Sequence, residues 1–296
     1  MRIPLVILGL VVWFSLAGAE QFPLVVTDDL GRTVTISAPP QRLVSLAPSH
    51  TEILFALGAL DRLAGVSEAD DYPPLVRELP RFGTFPGVNL EAVVGLEPDL
   101  VLAAGINNSN DVQALEALGV TVLWLDPKDI GDVLRVIGDI AQVLNLPRQG
   151  AALVEVLEQR MMAVSAVTNT IPEAERPRIY FELDSTLFAA GPSSFTGGII
   201  AAAGGANIVR GDLAFPQLSA EAIVAADPEV VVLADAPFGE TAASFAARAG
   251  FSMISAVQSG QIIELTADQT SWFSRPGPRV VDALEFLARA LYPEQF

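Results

Sequence analysis

The chain has 296 residues, 51% of them apolar, with 35 acidic side chains against 17 basic ones and a formal charge of −18. That apolar share supplies one large core or two moderate ones and excludes global disorder. The negative field repels nucleic acid and anionic membrane surfaces and suits a soluble protein that meets a basic partner.

Residues 1–19 stand apart. Arg2 precedes the apolar run "IPLVILGLVVWFSL", and "AGA" follows before Glu20. A charged start, an apolar middle and an A-x-A site are the anatomy of a secretory signal peptide. The run is shorter than the roughly 20 residues a membrane span needs, so cleavage rather than anchoring is expected. Loss of Arg2 leaves the mature chain still more acidic. Cysteine is absent, so no disulfide, thiolate metal site or lipid-bearing cysteine is expected. The mature protein is therefore expected to be periplasmic or extracytoplasmic, and a free monomer.

Residues 20–40 hold a β-hairpin: "FPLVVTDDLGRTVTIS" (22–37) alternates around a D-D-L-G-R turn. "RLVSLAP" then reads as a short buried strand. In "SHTEILFALGAL", Ser49 and Glu52 have capping-box spacing, and Ile53, Leu54 and Leu57 make a buried helical face. Strands and helices alternate from there. The expected order is strand 63–66, a helix and strand over 90–104, helix 110–118, strand 120–125 and helix 129–144. One long helix follows over 147–169, roughly 35 Å at 1.5 Å per residue. The second half repeats the order with strand 178–183, helices 194–203 and 219–226, strand 229–233, helix 241–249, strand 261–265 and helix 277–291. Such alternation argues for parallel sheets flanked by helices.

The halves share one spelling. "LEAVVGLEPDLVLAA" (90–104) returns as "AEAIVAADPEVVVLA" (220–234), each with a glutamate in the first helical turn, at Glu91 and Glu221. The expected division is a signal peptide (1–19), a hairpin segment (20–40), an N-terminal lobe (41–146), a connecting helix (147–171) and a C-terminal lobe (172–296).

Several chemistries are missing. His50 is the single histidine, so a zinc or manganese site of several imidazoles cannot be assembled. There is no Walker loop, no G-x-G-x-x-G after a strand and no G-x-S-x-G elbow. Lys128, the single lysine, sits in a polar loop. Asp70 and Asp71 read as turn residues rather than a catalytic dyad. No enzymatic activity, resident cofactor or metal site is expected.

"RLVSLAPSHTEILFALGALDRLAGVSEADDYPP", "GVNLEAVVGLEPDLVLA", "AGGANIV", "FPQLSAEAIVAADPEVVVL" and "SWFSRPGPRVVDAL" together resemble the cobalamin- and siderophore-binding proteins of ABC importers, the vitamin B12-binding-like branch above all. The resemblance covers about 41–292. It implies a class III periplasmic binding protein, α/β with two Rossmann-like lobes joined by a single long α-helix, whose ligand lies in the cleft between them. It also implies a membrane permease with its ATPase as partners, docked through one acid on each lobe, which fall on Glu91 and Glu221. Beside that stands the plain reading that each glutamate favours its own helix dipole by about 0.3–1 kcal/mol.

For the ligand, the resemblance implies contacts from Tyr72, Phe85, Phe215, Trp272, Phe273 and Arg275. Aromatic faces suit a large, partly apolar disc, and Arg275 suits side-chain amides or a negative charge. The cobalamin binders carry tryptophan where this chain has Phe85 and Phe215, tyrosine at Ala69, and an aspartate near Ser271. Two swaps keep aromatic character and two do not. The expected ligand is cobalamin or a related corrinoid, with a ferric siderophore or haem as the alternative. An exported two-lobed α/β enzyme and a ligand-free docking protein are the remote readings.

Overall fold

The structure, a computed structural model, describes residues 22–83 and 87–296. The signal peptide expected at 1–19 and Phe85 lie outside the described residues. β1 (Leu24–Thr27) and β2 (Thr33–Ile36) form an antiparallel ribbon with Leu24 opposite Ile36. Asp28 holds its turn: Oδ1 accepts the backbone N–H of Leu30 at 3.1 Å and of Arg32 at 2.9 Å. Val34 and Ile36 alternate inward, as a half-buried strand requires.

The first lobe is a four-stranded parallel sheet of β3 (Leu43–Ser45), β4 (Leu63–Val66), β5 (Leu100–Ala103) and β6 (Val122–Trp124). Its helices are α1 (Pro48–Ala56), α2 (Leu90–Gly95), α3 (Ser109–Ala117) and α4 (Ile130–Val143). β3, β5 and β6 are buried at every position, because helices cover both faces of a parallel sheet. From there α5 (Pro147–Thr168) carries the chain to the second lobe. That lobe comprises β7 (Arg178–Glu182), α6 (Phe195–Ala202), β8 (Ala206–Asn207), α7 (Ala220–Ala226), β9 (Val230–Leu233), α8 (Ala242–Ala246), α9 (Ser255–Ser259), β10 (Ile262–Glu264), α10 (Ala267–Ser274) and α11 (Val280–Leu291).

The strand orders are β4-β3-β5-β6 and β10-β9-β7-β8. Counted within each lobe, both read second, first, third, fourth. The lobes thus share one topology, and in each the order reverses beside the first strand. Ligands of open α/β sheets bind outside the carboxyl ends of the strands at that reversal.

The duplicated spelling has a shared geometry. Asn89 and Ser219 cap α2 and α7 by accepting the N–H of Ala92 and Ala222 at 3.0 and 3.2 Å. Both units leave the helix through a non-glycine residue at positive φ, Glu97 at 47° and Asp227 at 46°. Each precedes a proline, which disfavours the right-handed helical region for the residue before it.

α5 packs along α4 on one side and α11 on the other. A side chain at Gly150 would meet the Ala141 Cβ at 2.4 Å, so glycine lets α4 and α5 approach closely. Arg160 ties α5 to Asp282 and Glu285 of α11 at 2.6 and 2.8 Å. One apolar cluster runs from Leu43 and Leu100 through α4 and α5 to Ile179, Phe181 and α11. The lobes are fused along this seam rather than merely tethered. No helix among the described residues is long and apolar enough to cross a membrane.

Three local expectations need correction. The Ser49–Glu52 capping box does not form: α1 begins two residues earlier at Pro48 after Ala47, with no side-chain cap, and Glu52 has other partners. The helix expected over 241–249 stops at Ala246, and Gly250 at φ +83° turns the chain before α9. Residues 271–275, expected as a strand-end loop beside "RPGP", lie on α10 as far as Ser274, and its capping box joins Thr266 and Gln269.

Candidate functional site

The lobes meet where segments leaving the carboxyl ends of their strands touch. Glu52, on the first turns of α1, is 2% exposed. Arg279, from the other lobe, donates to both its oxygens, Nε to Oε2 at 2.9 Å and Nη2 to Oε1 at 2.6 Å. Arg275 Nη1 reaches the same carboxylate at 3.2 Å, donates to Asp71 Oδ1 at 2.7 Å, and its Nη2 donates to the Ala69 carbonyl at 3.1 Å. Arg279 also pairs with Asp268 and lies 4.0 Å over the Tyr72 ring. This is a bidentate carboxylate–guanidinium bond, sheltered from water and reinforced by a cation–π contact.

The structure distributes the proposed ligand residues unevenly. Phe215 is 59% exposed and available. Tyr72 is half-buried; Arg279 covers its face, and its ring stands edge-on to Phe55. Arg275 is committed across the junction. Trp272 is partly buried on α10 and packs edge-on against Phe286 at 6.3 Å, with its indole N–H enclosed and unpartnered. Phe273 requires correction: it is 1% exposed, with its centroid 5.2 Å from that of Phe181, and belongs to the core. On α10 the two aromatics of "SWFS" project inward, whereas a loop would have left them free.

Sequence reasoning missed other side chains here. Phe238 is 88% exposed in the segment after β9, and Leu213 and Phe188 are exposed beside Phe215. Asn107 closes the first lobe's reversal point: it donates to the Leu46 carbonyl at 2.9 Å and accepts from the Ala104 N–H at 2.8 Å. At the equivalent point of the second lobe stand Glu182 and Asp235, which end β7 and follow β9. Arg248 donates to both Glu182 oxygens at 2.7 and 2.6 Å. Burial, with the Glu182 charge behind it, pushes the Asp235 carboxyl up to about 6. No local spacing announces Glu52–Arg279 or Glu182–Arg248, because each pair is brought together only by the fold.

Glu91 and Glu221 are both exposed on the first turns of α2 and α7. Each helix runs back against a parallel sheet, so its start lies on the carboxyl side of the strands, the side where the lobes meet. The Glu221 carboxyl is held below its usual range by its own backbone N–H and the Ser219 hydroxyl.

His50 lies wholly inside the first lobe. Burial drives its pKa down to about 4, against the pull of the Leu125 backbone and of Asp126 and Asp29. Its folded pKa lies below its unfolded one, so its neutral form stabilises the fold fully above about pH 6.5. That contribution is lost as pH falls from 6.5 toward 4, by roughly 3 kcal/mol in all. Asp70 and Glu182, raised by burial, slope the other way, so the difference between two chains isolates the histidine. Denaturant unfolding at pH 7 and 4.5 is expected to show wild type losing about 2 kcal/mol more than His50→Phe. Parallel pH profiles would contradict this assignment.

Known proteins echo this arrangement. A Bacillus subtilis protein named as an uncharacterised ABC transporter substrate-binding lipoprotein is 30% identical over 283 residues, 94% of this chain and 88% of that protein. A cobalamin-binding protein of Halobacterium salinarum is 32% identical over 281 residues, covering 93% and 75% of the two chains. The crystal structure of the periplasmic vitamin B12 binding protein of Vibrio cholerae superposes with a TM-score of 0.75 at 27% identity, over 87% of this chain and 98% of that one. The family model described as periplasmic binding protein matches residues 43–269. Two lobes of one topology, fused along a helical seam and joined by a buried ion pair at their carboxyl edges, thus belong to the periplasmic binding protein family.

Proposed function

We propose that this chain is the extracytoplasmic solute-binding subunit of an ABC importer, carrying cobalamin or a related corrinoid between its lobes to a permease. The signal-like spelling of residues 1–19 and the names of its relatives support this reading. The observation that carries the ligand class is the fate of the cations at the junction. Arg275 and Arg279 are consumed by Glu52, Asp71 and Asp268, and Arg81 donates to the carbonyls of Ser67, Glu68 and Asp70. Near Phe215 the surface offers exposed aromatics and carboxylates with, among the described residues, a single exposed guanidinium, Arg210. An anionic ferric chelate or a haem with its propionates needs spare positive charge, whereas a neutral disc rich in amide N–H groups is served by acceptors and aromatic faces.

Calorimetric titration of the mature chain with cyanocobalamin, haemin and a ferric hydroxamate tests this. Cobalamin is expected to saturate one site at least about ten-fold tighter than the others, a gap of about 1.4 kcal/mol. Saturation by haemin or the siderophore alone would replace the corrinoid reading. Glu91 and Glu221 are proposed as the permease contacts, one from each lobe.

A further inference from the structure

We propose that Glu182, Asp235 and Glu240 hold one divalent cation of the hard, oxygen-preferring class, with calcium favoured over magnesium, at the carboxyl edge of the second sheet. One carboxylate oxygen from each of the three lies within 4.8 Å of the others. The residues come from different places: Glu182 ends β7, Asp235 follows β9, and Glu240 precedes the Thr241 cap of α8. No local sequence pattern gathers them.

Charge and burial ask for a guest. Arg248 supplies one positive charge to the group, bonding both Glu182 oxygens and lying 3.1 Å from Glu240. Three carboxylates against one guanidinium leave two negative charges, the complement of a divalent ion. Glu240 also accepts from the Ser244 hydroxyl at 2.7 Å. Asp235 receives nothing. It is 6% exposed, and neither of its carboxylate oxygens has a hydrogen-bond partner. The buried Tyr180 hydroxyl lies in the field of Glu182 and Asp235. A buried carboxylate without a donor, sharing one guanidinium with two other acids, is costly for a protein interior, and a metal ion relieves it directly.

The ligand chemistry narrows the choice of ion. The group offers carboxylates and a hydroxyl, with no imidazole or thiolate, which selects hard cations. Calcium takes carboxylates and waters at about 2.3–2.6 Å in flexible geometry, whereas magnesium demands a near-ideal octahedron at about 2.1 Å, so ligands drawn from two strand ends and a loop suit the more tolerant ion. Beside the cluster lies a cavity of about 480 Å³, lined by Asp184, Ser185, Asp235, Phe238 and Glu240 among others. It gives the ion an entry path and gives water room to complete the six to eight oxygens calcium takes. A bound ion would pin the ends of β7 and β9 to the segment that carries the exposed Phe238.

The test uses the mature chain stripped with a chelator and then titrated with calcium at pH 8. One saturable site is expected, with a Kd of about 0.1–1 mM, the range of extracellular calcium modules. It is accompanied by a rise in Tm and by binding to magnesium that is weaker by about ten-fold. Asp235→Asn is expected to weaken calcium binding by about ten-fold or more while raising Tm in chelator, since it removes the unpaired charge; this separates lost binding from lost folding. Glu240→Gln is expected to weaken binding without lowering Tm in chelator. No saturable heat up to about 10 mM calcium, well above that range, or undiminished binding by Asp235→Asn, overturns the proposal. The measurement needs no transported ligand, so it stands or falls apart from the corrinoid reading.

Discussion

A chain carrying Glu91→Arg and Glu221→Arg together is expected to bind its ligand as wild type does and to deliver none of it. The two glutamates occupy one position of one topology, written twice. Each follows a side-chain cap, Asn89 or Ser219, and each is exposed on a first helical turn. The shared topology places both on the carboxyl side of the sheets. Paired with arginines on a permease, such carboxylates form charge-assisted bonds that fix register. Reversing both charges sets like against like at two points, which costs several kcal/mol across an interface. The folded chain loses far less, because a first-turn charge is worth about 0.3–1 kcal/mol to its helix. Unchanged calorimetric affinity with uptake reduced to background in cells or proteoliposomes is the expected result. Normal uptake by the double variant would reduce both residues to helix-dipole partners.

Arg279→Met is expected to be the most destabilising single exchange at the lobe junction. It leaves the Glu52 carboxylate, 2% exposed, with the 3.2 Å contact from Arg275 as its remaining cation. It also uncovers the Tyr72 ring. Breaking one side of a buried ion pair costs about 3–5 kcal/mol, which for a chain of this size lowers Tm by about 10 °C. Glu52→Leu combined with Arg279→Met is expected to recover most of that loss, since an apolar pair of similar volume removes the stranded charge. A single variant within about 1 kcal/mol of wild type by denaturant unfolding would show that the pair is solvated. A double variant no better than the single would show that the loss comes from packing rather than charge.

The architecture was written locally, and so was legible. Continuous apolar runs marked the buried strands, and Asn89, Ser194 and Ser219 sit at helix caps where their short polar side chains serve backbone N–H groups. The duplicated helix–proline–strand unit announced two lobes. The site was legible in part. Phe215, implied as a ligand contact by the resemblance, is exposed, while Phe273, implied as another, is core. A helix and a loop of the same residues differ in which aromatics face inward, and the Thr266–Gln269 capping box starts the helix here. Glu52 was read through its neighbour Ser49, since spacing to a nearby residue was the visible signal; its true partners lie 223 and 227 residues along the chain.

What the sequence determined alone was therefore whatever depends on neighbours in the chain: strand and helix identity, caps, the doubled unit and the absence of imidazole and thiol chemistry. Hydrophobic period and backbone capping act over a few residues, and a few residues suffice to read them. What only the tertiary structure decided was which charges meet. Glu52 with Arg279 depends on how two sheets of one topology are set against each other, while Glu182 with Arg248, and Asp235 beside them, depend on how the second lobe itself packs. Coulomb attraction and desolvation depend on distance in space and on burial, and neither is fixed until the lobes have packed.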